Sequence, residues 1–397
     1  MSGPATGTVP VPTSPGLVIL ALSMGGFAIG TTEFAAMALV PYFSPALGIT
    51  EAQASQVISA YALGVVVGAP LLAVLGAKIS RRILLVLLMV AFGVFNVLSA
   101  LAPDFHSMLL FRFMSGLPHG AYFGVAALVA ASVVPPNRRS AAVARILVGL
   151  TVATTIGVPF ANVLGQTVGW RWGFGIVGVL AAITAISVFL MAPKDQPKKG
   201  VNPLSELAAL KSRQVWLTLA TGAVGFGGFF AVYTYLASTL ITTMQAPPSV
   251  VPIMLMVTGV GMTVFTFVAG WAADRNQTAA GFASLILGAI VLALYPVATG
   301  SLWTLGLAVF CMSVIGGLST VLQTRLMDVA GEAQQLAAAL NHSAFNVANA
   351  LGPWLAAQAI YAGYGFESSG YVGAALSLGG LAIFAVTVLD AKRTRRL

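Results

Sequence analysis

Glu33 stands in the stretch GGFAIGTTEFAAMALV, inside an apolar run from Leu17 to Val40 that holds no other charge. Arg112 and His119 occupy LLFRFMSGLPHG, and His342 occupies LNHSAFNVANALGP, again within apolar runs. A charge held at hydrocarbon depth costs at least ~2.5 kcal/mol on insertion scales and generally faces a cavity or a partner. The chemistry open to this set is proton transfer. Burial opposes ionisation of a carboxylate and a neighbouring guanidinium favours it. A glutamate balanced between the two can load and release H⁺ as its surroundings change, and His119 can relay or tune that proton. The competing reading for Glu33 and Arg112 is a static ion pair, and for His119 a hydrogen-bonded packing role.

Other residues are candidate solute contacts. His342, Asn346, Asn349 and Pro353 fall on one helical face, with Asn341 adjacent. Polar faces in lipid line a cavity or bond neighbouring helices. Phe226, Phe230 and Tyr233 form an aromatic stripe that serves ligand stacking and core packing equally well. Gln53 and Gln56 are further candidate contacts.

The elements that position these residues follow from composition. Of 397 residues, 58% are hydrophobic and 7% charged, against about 25% charged in a soluble domain. A water-soluble fold would have nothing to place on its surface, and a β-barrel would alternate polar and apolar residues. The chain therefore reads as an all-α membrane protein. Apolar runs of about 20 residues suit a ~30 Å hydrocarbon core. They predict twelve crossings: 17–40, 52–75, 82–102, 107–133, 141–165, 172–192, 215–244, 250–272, 279–296, 302–323, 335–361 and 369–389.

The net charge of +9 does not point to nucleic acid, because the basic residues sit in short loops. Lys78, Arg81, Arg82, Arg138, Arg139, the middle connection, Arg275, Arg325 and the C-terminal cluster lie on one side. Glu51, Asp104 and Glu367 lie on the other, with Arg171 as the basic exception. The positive-inside rule then places both termini in the cytoplasm. Residues 1–16 carry no basic side chain and read as a disordered tail rather than a cleaved signal. Residues 390–397 form a basic C-terminal tail.

The chain divides into bundles at 17–192 and 215–389, joined by 193–214. In that linker Asn202 and Pro203 read as a helix start, and Leu204, Leu207 and Leu210 share a face, predicting a short interfacial helix. The halves are related: GAKISRR matches GWAADRN, setting Gly76, Ser80 and Arg81 against Gly270, Asp274 and Arg275. GVPFA is echoed by LGPWLA, and both offsets are about 195 residues, half the chain, as in repeat-built transporters.

Depth follows from the rise of about 1.5 Å per residue, which puts Glu33 roughly 7 Å beyond the midplane on the outer side. Arg112 falls at a comparable level on a helix of opposite direction, with Gly116, His119 and Phe123 on its face. Gly26, Gly30, Glu33 and Met37 share a face of the first crossing.

These residues resemble the major facilitator superfamily over essentially the whole chain. GWAADRN is similar to its Gly-x-x-x-Asp-Arg signature, and Arg112 to its fourth-helix arginine motif. GLTVATTIGVPFANVLG, with Gly149, Gly157, Pro159 and Gly165, resembles the glycine-proline motif of twelve-helix drug–proton antiporters. GTTEF, ISAYALGVVVGAP and NVLSALAPDF are similar to AraJ/YdhP-like bacterial efflux permeases. The resemblance implies twelve helices in two pseudo-symmetric six-helix bundles, with the first and fourth facing each other so that Glu33, Arg112 and His119 cluster. It also implies a monomer in a bacterial inner membrane. Ser80 stands where the signature has aspartate, so charge contacts at that gate rest on Asp274 and Arg275.

No P-loop, metal-ligand spacing or nucleophile–base constellation is present, so no cofactor, metal or enzymatic activity is expected. Cys311 is the one cysteine, which excludes an intrachain disulfide. The expected function is proton-coupled export of small neutral or weakly cationic molecules, drugs or sugars, by alternating access. Uptake of a sugar-like solute, a channel and a receptor are the alternatives.

Overall fold

The computed structural model describes residues 14–49, 51–195, 203–247 and 249–394. Among them, ten helices are long and apolar enough to cross a membrane. Two features bring the crossings to the twelve expected. Val250–Ala298, at 49 residues, contains non-helical backbone at Asn276 (φ −154°, ψ 91°) and holds two crossings back to back. Gln334–Ala359, the eleventh, is too rich in asparagine, glutamine and histidine to register by hydropathy.

The remaining crossings follow their apolar runs. They are Pro15–Ala38, Glu51–Gly76, Arg81–Ala100, Phe105–Ser132, a fifth beginning with Arg139–Val152, and Trp170–Met191. After the linker come Arg213–Gly225 continued by Gly227–Ser238, then the long pair, Leu302–Val329 with an internal 3₁₀ turn, the eleventh, and Ser369–Thr394. Polar side chains close several ends. Ser80 accepts from the Ile83 N–H at 3.4 Å. Asp104 and Ser107 form a reciprocal capping box on the fourth crossing, and the Ser107 N–H holds the Asp104 carboxyl below the usual carboxylate range.

Three sequence expectations gain detail. The short helix expected in the linker is present over Pro203–Lys211 and is of 3₁₀ type; its Ala209 is buried, and Leu207 and Leu210 pack against the ends of the second and eleventh crossings. Asn202 and the side chain of Leu204 lie outside the described residues. The last helix runs on to Thr394, so most of the basic tail is helical, with Lys392 and Arg393 favourably placed in its final turn. The first helix already begins at Pro15, where a free tail is expected to residue 16, because Ser14 caps it; residues 1–13 lie outside the described residues.

The fifth crossing contains the glycine-proline motif. Pro159 has no N–H to give to residue 155, so the ladder widens into a π turn over Ala153–Gly157 before Val158–Thr167 resumes. A Cβ at Gly157 would collide with Thr31 of the first crossing, which explains the glycine. In the seventh crossing the helix breaks at Phe226, within the run GFGG.

Two apolar cores mirror the two halves. One is built from Val18, Leu85, Phe92, Tyr122, Ile146 and Val177 with their neighbours. The other gathers Phe229, Leu236, Leu285, Leu292, Val309 and Phe384. Between them, close approaches run from the midplane to the end that carries the basic loops. Gly270 packs on the fifth crossing, where a Cβ would lie 2.7 Å from that of Ala144. Thr151 and Thr263 share a hydrogen bond of 2.8 Å, and Ser343 donates to the Val65 carbonyl at 3.3 Å.

Candidate functional site

Glu33 lies 7% exposed, on the seam between the halves. It opens on a cavity of about 50 Å³ shared by six crossings. Glu33 and Phe34 come from the first, Leu147, Leu150 and Thr151 from the fifth, and Phe226 and Phe230 from the seventh. Met262 and Thr266 of the eighth, Gly316 and Ser319 of the tenth, and His342, Phe345 and Asn346 of the eleventh complete the wall. Phe34 reaches across the seam to Phe230, with ring centroids 6.5 Å apart, and to Tyr233 at 6.0 Å.

A buried polar chain runs behind this cavity. Arg112 is 1% exposed. Its Nη1 donates to Thr32 Oγ1 at 3.0 Å, and Thr32 Oγ1 donates to Asn96 Oδ1 at 2.6 Å. The guanidinium also lies over the Tyr61 ring, 4.3 Å from its centroid, an arrangement that stabilises a desolvated cation. Tyr61 Oη is 2.9 Å from His119 Nδ1, and His119 Nε2 is 3.3 Å from His342 Nδ1. His342 stacks on Phe123 at 4.1 Å, with an interplanar angle of 11°. The His119–His342 contact joins the fourth crossing to the eleventh, and therefore one half to the other.

The predicted residues divide accordingly. Glu33, Phe226, Phe230, His342 and Asn346 line one cavity, and His119 touches it through His342. Arg112 lies near Glu33 but makes no ion pair with it within 4.0 Å among the described residues; its hydrogen bond goes to the neighbouring Thr32. Tyr233 stands outside the wall, stacked on Phe229 at 5.4 Å. Asn341 does not face the cavity. Its amide donates to Gln323 Oε1 and to the Ser319 carbonyl, tying the eleventh crossing to the tenth. One residue is a 100° step on a helix, and that step turns Asn341 away from the face His342 occupies. Asn349 is half-buried and away from the wall, and Gln56 is exposed near the N-terminal end of its helix. The side chain of Gln53 lies outside the described residues.

At the basic end, Asp274 accepts hydrogen bonds from the Ser140 and Ala141 N–H groups at 3.0 and 3.2 Å. It thus closes the N-terminus of the fifth crossing from the opposite half. Arg275 stays within its own helix, over the Trp271 ring at 3.7 Å. Gly76 packs against Leu84. The Arg81 and Arg82 N–H groups donate to Asp195 at 2.9 and 3.3 Å.

Several of these partners escape sequence reasoning. Thr32 and Asn96 carry a signal, as polar residues at apolar depth. Tyr61 and Phe345 carry none, since aromatic residues abound in such helices.

The major facilitator superfamily model matches residues 22–339. The inner membrane transport protein YdhP of Escherichia coli strain K12 is 40% identical over 375 residues, covering 93% of this chain and 94% of that protein. The putative transporter AraJ of the same strain is 30% identical over 85% of this chain and 86% of its own. A probable sugar efflux transporter of Helicobacter pylori strain J99 is 28% identical, with 92% and 93% covered. The crystal structure of the human organic anion transporter MFSD10 superposes with a TM-score of 0.68 at 16% identity, over 93% of this chain and 98% of that one, a likeness of fold. Twelve crossings in two related halves, a cavity on the seam between them and a family match spanning most of the length agree: the chain is a multi-pass membrane transporter of the major facilitator superfamily, not an enzyme.

Proposed function

We propose that this transporter is a proton-coupled antiporter that exports small neutral or weakly cationic molecules by alternating access. The observation that carries the reading is Glu33, the one acid among the described residues of the cavity wall, which it shares with Phe34, Phe226, Phe230 and Phe345. A carboxyl group there takes up H⁺ when its side of the membrane supplies it. It releases H⁺ when a solute or water re-solvates the charge. Each proton driven inward by the membrane potential contributes about 2.3 kcal/mol per 100 mV to the exchange.

The basic end faces the cytoplasm by the positive-inside rule, which sets both termini inside a bacterial inner membrane. The bundles 17–192 and 215–389 rock against each other, with 193–214 as their tether. A cavity of about 50 Å³ is far below the ~300 Å³ of an ordinary ligand pocket, so loading a solute requires the halves to part. The ties that must break for opening toward the cytoplasm are those nearer the basic end, Asp274 to Ser140 and Ala141 and Thr151 to Thr263. Arg112 holds the helix carrying Glu33 through Thr32 and sets the local potential without neutralising the carboxylate outright. The protein acts as a monomer, since each chain contains both halves of the cavity.

Purified protein in vesicles with an imposed pH gradient tests this. Proton movement coupled to efflux of phenicol-type drugs is expected from the native chain, and none from Glu33→Gln, which inserts and purifies normally. Full export by that variant would remove Glu33 from the mechanism. A second reading, sugar export, is favoured by the Helicobacter relatives' name and by Asn346, Ser319 and Thr266 in the wall; sugars in the same assay decide it.

A further inference from the structure

His342 Nε2 and Asn346 Oδ1 are buried polar atoms with no hydrogen-bond partner, and their residues line the same cavity. Buried polar atoms are rarely left unmade. Here the two sit one helical turn apart, and the two N–H groups of the Asn346 amide go to the His342 carbonyl, at 3.0 Å, and to the Glu33 carboxyl. What Asn346 leaves open to a solute is its Oδ1 acceptor.

What His342 offers depends on its tautomer, and the chain behind it sets that. A neutral imidazole has one N–H and one bare nitrogen. Tyr61 Oη has a single recorded partner, His119 Nδ1. If Nδ1 were the donor, the Tyr61 O–H would be a buried donor with nothing to receive it. The arrangement that satisfies every group between Tyr61 and His342 Nδ1 has Tyr61 donating to His119 Nδ1, His119 Nε2–H donating to His342 Nδ1, and the His342 proton on Nε2, the one donor left open to the cavity. Each ring then has one proton and Tyr61 keeps its own.

We infer that His342 Nε2–H and Asn346 Oδ1 form a donor–acceptor pair that recognises an amide or hydroxyl group on an uncharged aromatic solute. Tyr61 acts through His119 as the positioning residue that fixes the donor. The aromatic part of the solute packs among Phe226, Phe230 and Phe345. A group that both accepts and donates satisfies the pair, whereas an ester leaves Asn346 Oδ1 unmade. Sites with such unmade groups reject the lacking analogue strongly. The inference rests on the cavity being the solute site.

Equilibrium binding of benzamide and its ester counterpart, methyl benzoate, to the full-length protein in nanodiscs tests it, together with ¹⁵N spectra of labelled histidines. The native protein is expected to prefer the amide by about tenfold or more, with His342 protonated on Nε2. His342→Phe brings the two probes to near parity, while His342→Gln, which still has an N–H to give, retains the preference. Tyr61→Phe leaves the fold and the aromatic wall in place but yields mixed His342 tautomers and a weakened preference. Equal binding of the probes to the native protein, binding of neither, or a resting His342 proton on Nδ1 overturns the assignment. If discrimination fails while pH-driven export persists and is lost in Glu33→Gln, this inference alone falls. If discrimination persists without proton coupling, the antiport reading falls instead.

Discussion

Two loops at the basic end occupy equivalent places in the repeat, yet they hold different partners. In the second half, Asp274 reaches across the seam and closes the fifth crossing at Ser140 and Ala141. In the first half, the equivalent Ser80 caps only its own helix at Ile83. The carboxylate near it is Asp195, in the linker just past the sixth crossing, and it binds the Arg81 and Arg82 amides without crossing the seam. Both carboxylates face helix N-termini, where backbone N–H groups and the macrodipole favour a negative charge. One bond joins the two bodies and the other stiffens one of them. If the halves rock as proposed, a twofold repeat supports a gate latched on one side only.

That contrast can be broken in graded steps. Asp274→Ala removes two charge-assisted bonds, each worth about 1.5–3 kcal/mol. It is expected to shift the population strongly toward opening at the basic end. Spin labels placed on either side of that seam would show lengthened distances, and unchanged distances would deny the latch. Asp195→Ala is a smaller change, with a loss of about 1 kcal/mol in thermal stability, in line with a lost helix cap, and no shift in the same distances. Smallest of all is Ser80→Asp, since aspartate and serine cap helices about equally well. Stability should stay within about 0.5 kcal/mol of native. Any narrowing of the seam in that variant would mean that the missing aspartate has a waiting partner in the opposite half.

How much of this is legible in the sequence depends on the kind of signal. Charges in apolar runs are read reliably, because lipid leaves them few places to go; Glu33 is buried at the seam and Arg112 behind it, within the first half. Helical phase alone is weaker. It selects the right helix for Asn341 but not its neighbour, Gln323, which lies 18 residues away in another crossing. Gln56 has the right chemistry and the wrong height. Tyr61 is invisible, since nothing in ISAYALG separates a hydroxyl that orders a histidine from one that packs. The pairing of Arg112 with Thr32 rather than Glu33 is set by side-chain reach within one turn, a distance that spacing cannot resolve. The eleventh crossing shows the opposite case: its polarity hides it from a hydropathy scan, while the repeat offset and the asparagine face reveal it.

The wide turn at Ala153–Gly157 acts as a phase shifter along the fifth crossing. On its inner side Leu147 and Thr151 face the cavity; beyond it Phe160 and Val163 are 52% exposed, pointing outward toward acyl chains. Because a single residue subtends about 100° on an α-helix, deleting one residue there is the smallest edit that would rotate the outer third of this helix against its neighbours. The inner two thirds, with their grip on the gate, would stay where they are.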